Sequence, residues 1–396
     1  MLAPTGSTGS EGGRYFSLLQ WTAMLFVVCC GFSSQMVMPL WVGAVIQDLH
    51  LSEAAAGQIG SMEFLAVAIV SVLVALRIQS FPTRPTVIVG VLLLIAGNIA
   101  SAFAHGEIAL TAARMLCGLG KGLVVAIVFS LAAGSARPTR AFAVLNVVYA
   151  LFSTFFYLVV PYAIGWAGAA GAFLSMGGVA IAGALFMPAF PADRLAASEI
   201  SGLRLRELPL FGFLAIAALV LLWSGHNMVF TFVERIGVRD GMDVKAIGAV
   251  LSLSAFLTIA GPGLARAIDT RLGYGVPMIV AILLKIAAML VIGYIATATA
   301  FSFAVPAFML LSLFITPYVM GMLSLADPAG RLAAASSAAM TAGASLGSWL
   351  GGVTLQAAGP VGLSWGAVIH FLLFTVIILG IAPVANRHGR AKAALA

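Results

Sequence analysis

The chain has 396 residues, 62% of them hydrophobic and only 8% charged, with a formal net charge of +7. Soluble domains carry about 25% charged residues, so a water-soluble globular protein, including any soluble enzyme, is excluded. The basic residues recur in alternate loops and form no continuous patch, which excludes nucleic acid as the partner and marks membrane topology instead.

Residues 1–17 read as a Gly/Ser/Thr-rich cytoplasmic tail without a signal-peptide pattern. A bilayer core of about 30 Å needs about 20 apolar residues of helix, each rising about 1.5 Å. Six such stretches lie near 18–44, 57–77, 85–104, 108–133, 141–164 and 168–189, giving an N-terminal half over 18–189. The longest polar stretch, 190–208, is the expected cytoplasmic linker. Six more lie near 209–232, 245–265, 276–297, 301–324, 332–356 and 360–383, giving a C-terminal half over 209–383 before a cytoplasmic tail at 384–396. The fold class is therefore an all-α membrane protein with twelve transmembrane helices in two pseudo-symmetric six-helix halves.

Arg77, Arg84, Arg137, Arg140, Arg194, Arg204, Arg206, Arg266, Arg271, Arg331, Arg387, Arg390 and Lys392 fall on one side of this topology. The positive-inside rule puts that side, with both termini, in the cytoplasm, as in a multi-pass protein of a bacterial inner (plasma) membrane. Cys29, Cys30 and Cys117 fall inside predicted helices and make no disulfide framework. The halves echo each other: Gly31, Ser33, Ser34 and Gln35 in the first span answer Gly225, His226 and Asn227 in the seventh. Weak repetition of a six-helix unit points to transporters with the solute site between two halves.

Through Arg114, Gly118 and Gly120, through Gly343, Gly347, Gly351 and Gly352, and through Pro161 and Gly165, the chain resembles the major facilitator superfamily along nearly its whole length. The fourth span contains 114-RMLCGLGKG-122, matching R-x-x-x-G-x-G through Arg114, Gly118 and Gly120. The eleventh contains 343-GASLGSWLGG-352, with Gly343, Gly347, Gly351 and Gly352 in place and Ser348 where proline is usual. Its counterpart in the fifth, 157-YLVVPYAIGW-166, keeps Pro161 and Gly165. The family's loop signature is degenerate: 269-DTRLG-273 keeps Asp269 and Arg271, and 77-RIQSFPTR-84 has neither acid nor glycine. The resemblance implies that these residues serve conformational change and that the fourth span lines a central cavity.

Ionisable groups inside a membrane are costly and usually pair or face water. Arg114 and Lys121, seven residues apart, share one helical face. Together with Gln35, Tyr149, His226 and Asn227 they are the candidate contacts for an anionic or carboxylate-bearing solute. Glu63, the only acid inside a predicted span, is either a proton-coupling carboxylate or a fixed ion-pair partner for Arg114; His226 is the second coupling candidate. Lys285 and His370 are assigned structural roles, Lys285 by reaching toward the cytoplasmic end. Asn146, Trp223, Tyr318 and Met320 are cavity-wall candidates by helix membership alone.

These readings converge on a secondary active transporter of a small organic solute, anionic or zwitterionic, coupled to protons by alternating access. It needs the lipid bilayer, no cofactor and no metal, and is expected to be a monomer. Two alternatives stay open: a broad-specificity drug/proton antiporter, and a non-transporting receptor or assembly subunit of the same fold.

Overall fold

The computed structural model describes residues 15–76, 82–192, 209–327 and 331–394. Most of the expected N-terminal tail and linker lie outside the described residues, as do Arg77, Arg194, Arg204 and Arg206.

Among the described residues, all the regular elements are helical. The first is α1 (Leu18–Met36), opened by a capping box in which Ser17 Oγ accepts from Gln20 N at 3.2 Å and Ser17 N donates to Gln20 Oε1 at 2.9 Å. The single span expected at 18–44 is broken at Val37 and continues as α2 (Met38–Asp48). Pro39, in the first turn of α2, has no N–H to continue the α1 ladder. Then come α3 (Glu53–Leu76), α4 (Thr83–Ala102), α5 (Glu107–Ala133) and α6 (Pro138–Ala184).

The C-terminal half begins with α7 (Leu210–Phe230) and α8 (Val233–Arg239). It continues through α9 (Val244–Leu257), α10 (Ala260–Ile268), α11 (Gly275–Tyr294), α12 (Ala298–Ala326) and α13 (Arg331–Ala394). The α9–α10 break at Thr258 and Ile259 has a local cause, because Pro262 cannot donate to the Thr258 carbonyl. The last helix runs to Ala394, beyond the boundary expected at 383.

Among the described residues, ten helical segments are long and apolar enough to cross a membrane. Two are far too long for one crossing: α6 has 47 residues, about 70 Å at 1.5 Å per residue. It reverses at Gly168, where φ is 59° and an L-residue would be strained, and α13 reverses likewise at Gly359 with φ 63°. A Cβ at Gly171 would collide with the Ala163 carbonyl, eight residues earlier, where a straight helix would leave about 12 Å. Each therefore supplies two arms, 138–166 with 169–184 and 331–358 with 360–394.

Helix packing inside each half uses glycine. Gly118 meets the Glu63 carbonyl of α3, and Gly120 meets the Gly90 carbonyl of α4. Gly343, Gly347 and Gly351, spaced by four, meet the Val220, Ser224 and Met228 carbonyls of α7. Without a hydrophobic drive between helices in lipid, such close backbone approach supplies the van der Waals attraction.

The halves touch at one end. Ser61 and Ser345 hydroxyls lie 3.0 Å apart, Ser345 Oγ donates to the Ser61 carbonyl at 2.9 Å, and Ala54 N donates to Gln356 Oε1 at 3.1 Å. Between α6 and α9, Ser252 Oγ donates to the Thr154 carbonyl at 2.8 Å and Gly248 packs on Pro161. Among the described residues, the hydrogen bonds joining the halves lie on the side opposite the start of α1 and the end of α13. Gly352 of α13 meets the Glu53 carbonyl of α3 in the same seal.

Candidate functional site

The first polar cluster joins four helices of the N-terminal half. Arg114, on α5 and fully buried, donates from Nε (3.0 Å) and Nη2 (2.7 Å) to Glu63 Oε2 on α3. Nη2 also meets Ser34 Oγ of α1 at 2.6 Å, and Nη1 donates to Asn98 Oδ1 of α4 at 2.9 Å. Ser34 Oγ in turn donates to Glu63 Oε2 at 2.9 Å. The guanidinium lies against the adjoining Trp41 and Phe173 rings, 5.3 and 5.4 Å from their centroids. The expected Glu63–Arg114 ion pair is present, and its lone pairs and donors are largely used within the cluster.

Lys121 stands two turns further along α5, about 21 Å from its start at Glu107. Its Nζ donates to Gln35 Oε1 of α1 at 2.6 Å and sits 5.1 and 5.0 Å from the Phe32 and Phe64 ring centroids. It has no carboxylate within ion-pair distance among the described residues. An ammonium has three donors, so one amide oxygen and two ring faces leave it under-neutralised. Tyr149 reaches this wall through Phe32, which it meets edge-on at 5.4 Å. The structure thus gathers Lys121, Gln35 and Tyr149 beside the Arg114 cluster.

His226 and Asn227 do not join them. Asn227 Nδ2 donates to the Trp223 carbonyl of its own helix at 2.9 Å. His226 stacks between Phe230 and Phe308, at 5.5 and 4.9 Å, and turns Nδ1 toward Ser312 Oγ (3.1 Å) and Lys285 Nζ (3.4 Å). Lys285 also donates to the Phe308 carbonyl at 2.8 Å and to Ser312 Oγ.

This corrects the expectation that Lys285 reaches toward a membrane surface. Its neighbours Leu283 and Leu284 are 54% and 56% exposed, whereas Lys285 is 0% exposed. It lies about 14–15 Å from either end of α11, beyond the reach of a lysine side chain. His370 bonds only its own helix, Nδ1 to the Gly366 carbonyl at 2.8 Å.

A second correction concerns Glu234, which falls between the spans expected at 209–232 and 245–265. It is buried in α8 against Gly43, paired with Arg235 at 2.7 Å, so Glu63 is not the only acid within the apolar segments. Arg235 reaches Gln47 of the other half at 3.5 Å. Ser34, Asn98 and Ser312 were not singled out as ligands of the buried cations, because a lone serine or asparagine in an apolar run has no periodic signature.

The remaining expected residues take packing positions or surface turns. Gly118, Gly120, Gly343, Gly347 and Gly351 pack helices within a half, while Pro161 and Gly352 lie where the halves meet. Asp269 and Arg271 are exposed in the α10–α11 turn, where Asp269 has φ 51° and Gly273 φ 72°. Asn386 Oδ1 secures that turn by accepting from Tyr274 N at 2.9 Å.

Two glycine-packed helical halves, each enclosing polar and charged groups at bilayer depth, define a multi-pass integral membrane protein of the transporter type. The chain belongs to the Major Facilitator Superfamily, whose sequence profile matches residues 23–352. Its fold is similar to the crystal structure of the nucleoside transporter NupG, with TM-score 0.71 and 14% identity over 91% of this chain and 97% of that one. A mutant of the peptide transporter POT aligns with TM-score 0.75 and 16% identity over 95% and 97%. A bacterial homolog of the human lysosomal transporter Spinster, inward-facing and unoccupied, aligns with TM-score 0.66 and 15% identity over 93% and 96%. A search of curated protein sequences returns no significant match.

Proposed function

We propose that this chain is a secondary active transporter moving a small organic solute, anionic or zwitterionic, by proton-coupled alternating access. The observation that carries the reading is Lys121, a buried ammonium at mid-helix with Gln35 as its hydrogen-bond acceptor and no carboxylate partner among the described residues. A solute carboxylate supplies the missing neutralisation, and Gln35 and Tyr149 offer it further polar contacts. Arg114 and Glu63 act as a fixed pair that holds the wall of this site, a role supported by the three hydrogen bonds that converge on Glu63 Oε2 and by the Arg114 bond to Asn98. The protein sits in a bacterial inner membrane with both termini cytoplasmic, an orientation supported by the distribution of basic residues, and works as a monomer. The one-ended seal between the halves supports a conformation open toward that cytoplasmic side.

Flux of labelled small carboxylates and zwitterionic amino acids into proteoliposomes tests this, with and without an imposed pH gradient. Accumulation that needs the gradient is expected. Movement of cationic dyes alone would shift the reading to a drug antiporter, and no flux of any solute would shift it to a receptor.

Cross-linking tests the motion. Ser61→Cys with Ser345→Cys places two thiols where hydroxyls now stand 3.0 Å apart, and the native cysteines are buried. Oxidation is expected to stop flux and reduction to restore it. Full flux through completely cross-linked protein would refute opening at this seal.

A further inference from the structure

Each half encloses a fully buried basic side chain among polar groups, and the two are neutralised differently. Arg114 meets a carboxylate at 2.7 Å. Lys285 has none within ion-pair distance among the described residues. Its neighbours form a chain instead: Nζ donates to Ser312 Oγ, and Ser312 Oγ lies 3.1 Å from His226 Nδ1. A hydroxyl that accepts from an ammonium keeps its own hydrogen, and here the nearest acceptor for it is Nδ1, with the Phe308 carbonyl further off at 3.5 Å. Nδ1 is also 3.4 Å from Nζ. Two like charges at that separation oppose each other strongly, so the cluster carries one positive charge and not two.

We propose that Lys285, Ser312 and His226 form a one-proton site in the C-terminal half, the coupling site of the transport cycle. The transfer balances within the chain. The ammonium gives a proton to Ser312 Oγ as Ser312 gives its own to His226 Nδ1, leaving a neutral amine and an imidazolium. Loss of the proton from Nε2 then leaves both groups neutral. His226 is the member with surface, 7% exposed against 0% for Lys285, so protons enter and leave through the imidazole.

Other titratable groups facing the cluster's helices are engaged elsewhere. His370 of α13 bonds the Gly366 carbonyl, Tyr294 of α11 accepts from Trp365 Nε1, and Tyr318 of α12 donates to the Ala265 carbonyl. The charges of α8 pair locally, Glu234 with Arg235 and Arg239 with Asp240. The coupling role rests on the transporter reading above, but the proton site itself does not.

Trp223 provides a reporter, because its ring meets His226 edge-on at 5.4 Å. The full chain in detergent is titrated from about pH 5 to 9, following the tryptophan fluorescence that Trp223→Phe removes. The wild type is expected to give a single proton-linked transition. Lys285→Met removes the competing cation and moves the midpoint up by about one pH unit or more. Lys285→Arg installs a cation that does not give up its proton and drives the transition out of the range. Because the arginine variant keeps the charge, it carries the test where the methionine variant misfolds. Absence of a Trp223-dependent transition in the wild type, or the same midpoint in the wild type and every folded variant, overturns the site. If the shifts occur but no solute moves, the proton site stands and the transporter reading fails. If solute accumulates under a pH gradient while the midpoints coincide, the transporter reading stands and this site fails.

Discussion

Glu63→Gln alone is expected to lower the stability of the folded protein by about 3–5 kcal/mol, the usual penalty for stranding one partner of a buried ion pair. Glu63 Oε2 takes both Arg114 bonds and the Ser34 hydroxyl, so a neutral amide there leaves a guanidinium that cannot lose its proton. The Trp41 and Phe173 rings offer it only partial compensation. Adding Arg114→Gln is expected to recover most of the loss, since two amides can bond each other, Ser34 and Asn98. Thermal unfolding of the four proteins in detergent closes the double-mutant cycle. If the two single losses simply add, the pair contributes nothing as a pair.

Lys121→Met is expected to act in the opposite sense on stability. Removing a charge at bilayer depth should stabilise the empty protein by about 1–3 kcal/mol, offset in part by the bond to Gln35. Affinity for a carboxylate solute should fall by about 30-fold or more, the effect of truncating one member of a buried charged contact. A lysine kept for the fold would show the reverse pattern, a loss of stability with binding intact. Lys121→Arg should not rescue binding, because the Phe32 and Phe64 rings flank the site at 5.1 and 5.0 Å and a planar fork does not replace a compact ammonium. Ligand-induced thermal shifts measured on the same protein preparations separate the two effects.

The fold was legible because its signals are long and redundant. Twelve apolar stretches, alternating basic loops and the glycines of α5 and α13 all point one way. What the sequence concealed is which side of each helix faces inward. In lipid both faces are apolar, so the contrast that reveals a soluble helix is missing. Lys285 illustrates this: Val280, Leu283 and Leu284 on one side of α11 and Ile282, Met289 and Ile292 on the other are equally hydrophobic, yet only the second set is buried. The finer clue was the small residues Ala281, Ala288 and Gly293, which share the buried side. The pairing of Arg114 with Glu63 could be read because the second and fourth spans run in the same direction and both residues lie at matching depth from the same end. Its Ser34 and Asn98 partners could not, since nothing in sequence sets the rotation of α1 and α4. Glu234 was missed because α8 resumes two residues beyond α7, and the charges around it read as a loop.

The seal between the halves has a consequence for how the protein answers its surroundings. Its bonds run mostly between serine hydroxyls, backbone carbonyls and a glutamine; Arg235 adds one charged donor to Gln47, and no ion pair crosses it among the described residues. Dissolved electrolyte screens charges, not steric fit, so ionic strength bears on the Arg235 contact and has little leverage on the uncharged bonds of the seal. Bulk has a great deal: one extra methyl at Gly57, Gly248 or Gly352 would strike a backbone carbonyl of the opposite half. Mutational drift along this strip therefore acts as a wedge that biases the resting posture of the molecule while leaving each half intact.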